Sequence, residues 1–141
     1  MHFHAPSEHT INGKHFDLEL HLVHKSPTST QLSVVAIFFD RKKGGDYPNP
    51  FFESLNAKDL QGGKLTTTSQ NLPLRKLTQD VKKDRVYNYQ GSLTTPTCDE
   101  IVNWIILDDP QYISSEQLSV FTNMWAGNQS FAKGNGNNRR T

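Results

Sequence analysis

All six histidines of the chain, His2, His4, His9, His15, His21 and His24, lie in its first 24 residues, MHFHAPSEHTINGKHFDLELHLVH. A neutral imidazole is the commonest protein ligand for divalent transition metals. Residues two apart on an extended strand share a face. HFH therefore presents His2 and His4 together, and ELHLVH presents Glu19, His21 and Val23 together. Three imidazoles with a fourth position left open describe a catalytic zinc site, whereas structural zinc sites are closed by four protein ligands. Glu19, two residues from His21, is placed to accept an imidazole N–H and so orient a ligand ring. His9, His15 and His24 fall outside this grouping and read as structural or exposed. The plain alternative is a histidine-rich surface hairpin with no metal.

What brings the two histidine segments together is a turn. Asn12-Gly13 is a strong hairpin signal, because a type I′ turn needs positive φ at both central residues. A two-residue turn there pairs Ile11 with Lys14, so partners across the hairpin have numbers summing to 25. Carried outward, that register sets His4 opposite His21 and His2 opposite Val23. Pro6 cannot donate to a strand ladder, so a loop around 5–7 interrupts the pairing. The register holds only if that loop costs neither strand a net residue. The other face of the return strand carries Leu18, Leu20, Leu22 and His24, the pattern of a central strand buried on both sides.

The remaining chain supplies the support. QLSVVAIFF (31–39) reads as a buried strand, and RKKGGDYPNP as a loop ending in an Asn49 N-cap with Pro50 at the first helical position. Phe51, Phe52 and Leu55 give the short helix that follows an apolar stripe. Residues 61–84 read as loop with short extended pieces. Arg85–Tyr89 reads as a strand with Tyr87 and Tyr89 on one face, and Glu100–Leu107 as another strand. Ser114-Ser115-Glu116-Gln117 is a capping box opening a helix to about Met124. A chain of 141 residues without internal repeat or linker reads as one domain, 1–141. Fifteen basic and 14 acidic residues leave a net charge of +1, which gives no reason to expect nucleic acid as a partner. No apolar run approaches the length of a membrane span, and no signal peptide is visible.

HFH, SEHTINGK and ELHLVH, followed downstream by GSLTTP and SSEQL, resemble the α-class carbonic anhydrases in order and over almost the whole chain. The resemblance implies a mainly β fold: a central, largely antiparallel twisted sheet with a few short peripheral helices, incomplete at its N- and C-termini. It implies a zinc lyase, a carbonate dehydratase. Such an enzyme reversibly hydrates carbon dioxide to bicarbonate and a proton through zinc-bound hydroxide and is sensitive to sulfonamides. By matching motif, His2, His4 and His21 correspond to the zinc ligands and Glu19 to the acceptor that holds His21. Thr94, which bonds the hydroxide, and Glu8, which takes the Thr94 proton, correspond to the orienting pair. Val23, Val34, Leu93, Val102 and Trp104 correspond to the apolar pocket wall, and Thr95 lies beside the substrate. Asn137 corresponds to the backbone-carbonyl partner of His4.

Against that pattern the chain looks truncated at both ends. Strands ahead of HFH, the histidine that shuttles protons and the segment after Asn137 have no counterpart, so the proton shuttle is unassigned. Cys98, the single cysteine, stands where secreted and periplasmic relatives carry half of a disulfide, which implies such a setting for the parent protein. Missing strands would leave sheet edges free to self-associate. Two rival readings are an inactive or weakly active remnant serving as a binding module, and a cupin. In a cupin Glu8 would bind the metal directly and a later histidine would complete the site, but no histidine follows His24.

Overall fold

The computed structural model describes residues 1–56, 60, 71–79, 81 and 83–125. Among them, five strands form one mixed sheet: β1 (His2–His4), β2 (Leu18–Lys25), β3 (Leu32–Asp40), β4 (Val86–Gly91) and β5 (Val102–Tyr112), in the order β1-β2-β3-β5-β4. The β1–β2, β2–β3 and β4–β5 pairs are antiparallel, and β3–β5 is parallel. Two short helices, α1 (Pro50–Ser54) and α2 (Ser115–Trp125), complete a mainly β architecture. Within 61–84, the described residues adopt a 3-10 turn at Leu74–Leu77, and Lys83–Arg85 forms another leading into β4, where extended pieces were expected.

Period-two alternation sorts the sheet into two faces. Leu18, Leu20, Leu22, Ile37, Phe39 and Leu107 face α1 and α2, which cover them with Phe51, Phe52, Leu118 and Phe121. Each fully buried phenylalanine there contributes about 1.5–3 kcal/mol by leaving water. The opposite face carries Val34, Ala36, Phe38, Val102, Trp104 and Ile106, with Ile11, Phe16 and Leu93 packed against them. β2 is buried on both faces only as far as Leu22; Val23, His24 and Lys25 are exposed, so the expected two-sided burial stops partway along the strand.

The helix starts follow their side-chain chemistry. Asn49 Oδ1 accepts from the Phe51 amide at 3.0 Å, the N-cap read from Asn49-Pro50. Ser114 Oγ accepts from the Gln117 amide at 3.2 Å, and Gln117 Oε1 accepts from the Ser114 amide at 3.4 Å, closing the capping box. Gln117 also receives the Asn49 amide and donates to the Asn49 carbonyl, so one buried side chain joins the two helix N-termini.

The hairpin turn forms as its sequence requires. Ile11 bridges Lys14, and Asn12 and Gly13 have φ of +52° and +73°. The outer register is different from the one extrapolated from it: His2 pairs with His21, Phe3 with Leu20 and His4 with Glu19, so partner numbers sum to 23. The expected pairs His4–His21 and His2–Val23 are therefore corrected by two positions. The cause lies between the turn and the ladder. Six residues (5–10) bulge out on the first strand against four (15–18) on the second. A shift of two leaves every side chain on its face, because the strand period is two.

Candidate metal centre

The two-residue correction exchanges the roles of the two β1 histidines relative to His21. His2 sits directly across from His21, with His4 one diagonal step away. The ring centroids lie 4.9 Å (His2–His4), 5.0 Å (His2–His21) and 4.5 Å (His4–His21) apart. One nitrogen from each ring falls within 4.8 Å of the other two, and His21 Nδ1 and His2 Nε2 are 3.1 Å apart. A tetrahedral zinc with Zn–N bonds of about 2.0–2.1 Å keeps its nitrogens roughly 3.3 Å apart, so small ring rotations would satisfy it. The donor set fits a zinc ion.

Burial favours the neutral form of His2 and His4, the form that metal donation requires. Burial, helped by the neighbouring His21, lowers the pKa of His2 from 6.5 to about 4. The same two causes, with His2 added, lower His4 to about 3.

Glu19 orients the cluster. Its carboxylate is fully buried, and burial alone would raise its pKa. Hydrogen bonds from His21 and His9 outweigh that effect and hold it well below the usual carboxylate range. Oε1 accepts from His21 Nε2 at 2.7 Å and His9 Nδ1 at 2.5 Å, while Oε2 accepts the backbone amides of Glu8 and His9 at 2.8 and 2.9 Å. With its Nε2–H given to Glu19, a neutral His21 must present the Nδ1 lone pair toward His2 and His4. Sequence reasoning placed Glu19 correctly beside His21 but left His9 out. His9 stands in a turn, where no periodicity marks a face, and its far nitrogen meets Tyr89 Oη at 2.7 Å, eighty residues away. Burial, then the negative charges of Glu19 and Glu8, raise the Tyr89 pKa and keep it a donor. His15 binds the Ser7 carbonyl through Nδ1 at 2.6 Å, a structural role, and His24 lies among the exposed residues ending β2.

Glu8 turns its carboxylate toward His4, with Oε1 3.4 Å from His4 Nδ1. Burial raises its pKa, while a hydrogen bond from the Thr94 side chain acts the other way. Glu8 thus contacts the back of a cluster imidazole, where a cupin would use it as a ligand. Val23, Val34 and Trp104 are register partners across β2, β3 and β5, one step along the sheet from the row containing His21. Val34, Val102 and Trp104 are buried, Leu93 packs against them, Val23 is 42% exposed, Thr94 is half-buried and Thr95 is exposed. Trp104 also stands edge-on to His21 at 4.8 Å. Asn137 lies outside the described residues.

Known proteins resemble this chain in sequence and fold. Residues 1–141 match the family described as eukaryotic-type carbonic anhydrase. The chain is 37% identical over 123 residues to a carbonic anhydrase of Klebsiella pneumoniae, covering 86% of this chain and 47% of that protein. It is 37% identical over 131 residues to alpha carbonic anhydrase 3 of Arabidopsis thaliana, covering 89% and 44%. The α-carbonic anhydrase of Thermovibrio ammonificans, solved with the inhibitor sulfanilamide, superposes with a TM-score of 0.76 at 36% identity over 99% of this chain and 56% of that one. The chain thus spans about half the length of the relatives it matches. On fold, motif and sequence together, it belongs to the α-class, eukaryotic-type carbonic anhydrase family.

Proposed function

We propose that this chain carries the carbon dioxide hydration site of an α-carbonic anhydrase, with His2, His4 and His21 as ligands to a zinc ion. The observation that carries the reading is the meeting of three imidazole nitrogens within 4.8 Å, one of the rings oriented by a buried carboxylate. Zinc held there would act as a Lewis acid that brings the pKa of water toward neutrality, a property for which carbonic anhydrase is itself the standard example. Glu8 accepts the Thr94 hydroxyl proton, so the Thr94 oxygen can only accept in turn, which fixes the orientation of the attacking nucleophile. Val23, Val34, Leu93, Val102 and Trp104 form an apolar wall suited to carbon dioxide, which has no net dipole, and Thr95 stands at its exposed rim. Apolar walls also exclude the water that would compete for the same volume.

Zinc content and stopped-flow carbon dioxide hydration test the reading together. Stoichiometric zinc, hydration that a sulfonamide blocks, and loss of tight zinc binding in His21→Ala are the expected results. Zinc bound without hydration would favour a binding module on the same scaffold. A folded protein that takes up no zinc would overturn the assignment.

A further inference from the structure

Thr94 belongs to no strand. It lies in the loop 92–101 that joins β4 to β5, and the residues flanking that loop, Gly91 and Val102, are direct register partners. What fixes the threonine is therefore what fixes the loop. Ahead of it, Trp104 Nε1 donates to the Ser92 carbonyl at 3.1 Å and the Leu93 amide donates to the Asp99 carbonyl at 3.0 Å. After it, the Thr95 carbonyl accepts the Cys98 amide at 2.8 Å, which closes a turn at the tip. Asp99 is the junction. Its carbonyl also takes the Ile101 amide at 2.9 Å, and its carboxylate Oδ2 takes the Thr97 hydroxyl at 2.5 Å.

The residue between Thr97 and Asp99 gives their bond its importance. Cys98 has a φ of +62°, a left-handed conformation that a residue with a Cβ adopts only at a cost. A return to negative φ would carry away Asp99, and with it the acceptor of the Leu93 amide. Two hydrogen bonds oppose that return: the Thr95–Cys98 turn, and the Thr97–Asp99 bond that spans Cys98 from its two neighbours. Leu93 immediately precedes Thr94 and packs against the cluster of Val34, Val102 and Trp104. Thr97 and Asp99 are both exposed, so their bond adds little to global stability. Its leverage is local.

We propose that Thr97 and Asp99 are positioning residues: their side-chain bond holds Cys98 left-handed and, through the Asp99 carbonyl and Leu93, sets where Thr94 presents its hydroxyl. This rests on the zinc reading above, in which Thr94 orients the nucleophile. The test compares the full chain with Thr97→Val, which keeps the side-chain shape and loses the donor, and with Asp99→Ala, which loses the acceptor. Asp99→Asn keeps an acceptor oxygen and is the conservative rescue. Ser54→Ala, which deletes a hydroxyl bonded to the Pro50 carbonyl on α1, is the control. Hydrogen exchange of the Leu93 amide is followed in the metal-free protein, and zinc affinity and kcat/KM for carbon dioxide hydration in the loaded one. Thr97→Val and Asp99→Ala are expected to speed Leu93 exchange roughly three- to tenfold, the loss of one modest hydrogen bond. Each should lower kcat/KM by a similar factor at parental zinc affinity, the split that separates orientation from ligation. Asp99→Asn and Ser54→Ala should stay close to the parent. Glycine accepts positive φ freely, so adding Cys98→Gly to Thr97→Val should recover much of the loss. Faster exchange with an unchanged kcat/KM would reduce the pair to a structural contact and overturn the proposal. Parental exchange and parental kcat/KM in Thr97→Val, beside an active parent, would overturn it alone and leave the zinc reading intact. A folded parent that binds no zinc, or binds it without hydration, would overturn the reading of the site and the role given to Thr94 with it.

Discussion

Replacing Glu19 with glutamine changes one atom and sets two requirements against each other. The carboxylate serves four donors, two backbone amides on Oε2 and two imidazoles on Oε1. A glutamine offers one oxygen and one NH2 group. If the NH2 faces the amides of Glu8 and His9, two buried N–H groups lose their acceptor, at about 1–3 kcal/mol each. If it faces the imidazoles, the rings can adapt by changing tautomer. His21 would then carry its proton on Nδ1, the nitrogen that lies 3.1 Å from His2 Nε2 and faces the metal position. The less costly orientation is therefore the one that spoils the ligand. Zinc affinity is expected to fall about 10- to 100-fold, equivalent to about 1.4–2.7 kcal/mol. The metal-free protein should lose about 2–4 kcal/mol as charge-assisted hydrogen bonds become neutral ones. Competition with a chromophoric chelator reads the first quantity and denaturant unfolding of the metal-free protein the second. A Glu19→Gln protein that binds zinc as tightly as its parent would refute the claim that the carboxylate sets the His21 tautomer.

Thr94→Ala should retain zinc yet slow carbon dioxide hydration by about 10- to 100-fold, since it disturbs orientation and leaves the ligands alone; a variant as fast as its parent removes Thr94 from the mechanism. Acid should destabilise the metal-free protein earlier than carboxylate titration would. His2 and His4 fold with pKa values of about 4 and about 3 against 6.5, so below 6.5 the unfolded chain binds more protons and stability drains as pH falls. Glu19, with its lowered pKa, adds a further loss below its unfolded value of 4.5, whereas Glu8, with a raised one, opposes it. The denaturant midpoint should begin to drop near pH 6.5, and one that stays flat down to about pH 5 contradicts the neutral cluster. Each of Val86–Gln90 in β4 is exposed, and among the described residues β1 and β4 each pair on one side only. Sedimentation should show association that grows with concentration, and a monomer at every concentration would count against open edges.

Local chemistry was legible where it is self-contained. Asn12-Gly13 encodes its own positive φ angles, the 31–39 run encodes a buried strand, and Ser114 with Gln117 closes a reciprocal cap within four residues. Legibility failed where distant parts decide. β5 runs on through Asp108-Asp109-Pro110 to Tyr112, past the Leu107 end expected for it. Pairing with β4 ends at Leu107, and Asp108, Asp109 and Pro110 lie in the irregularity of the β3 pairing between Leu107 and Gln111, where a proline without an N–H costs no ladder bond. The metal-facing triad was grouped correctly through an incorrect register, because face depends only on whether a shift is even. His9 was invisible because its significance lies in a tyrosine on another strand.

The excursion between His4 and Ile11 therefore acts as a spacer that tolerates changes of length only in pairs. Gain of two residues there would slide β1 along its neighbour, setting His4 across from His21 and His2 across from Val23, and keep both imidazoles inside the cluster. A single deletion would rotate the strand by half a turn. His2 and His4 would be driven among the aromatic rings of Phe51, Phe52 and Phe121, which now enclose Phe3, and Phe3 would be thrust against Glu19 and His21. One codon would thus exchange a coordination site for a greasy plug while the backbone ladder stayed intact.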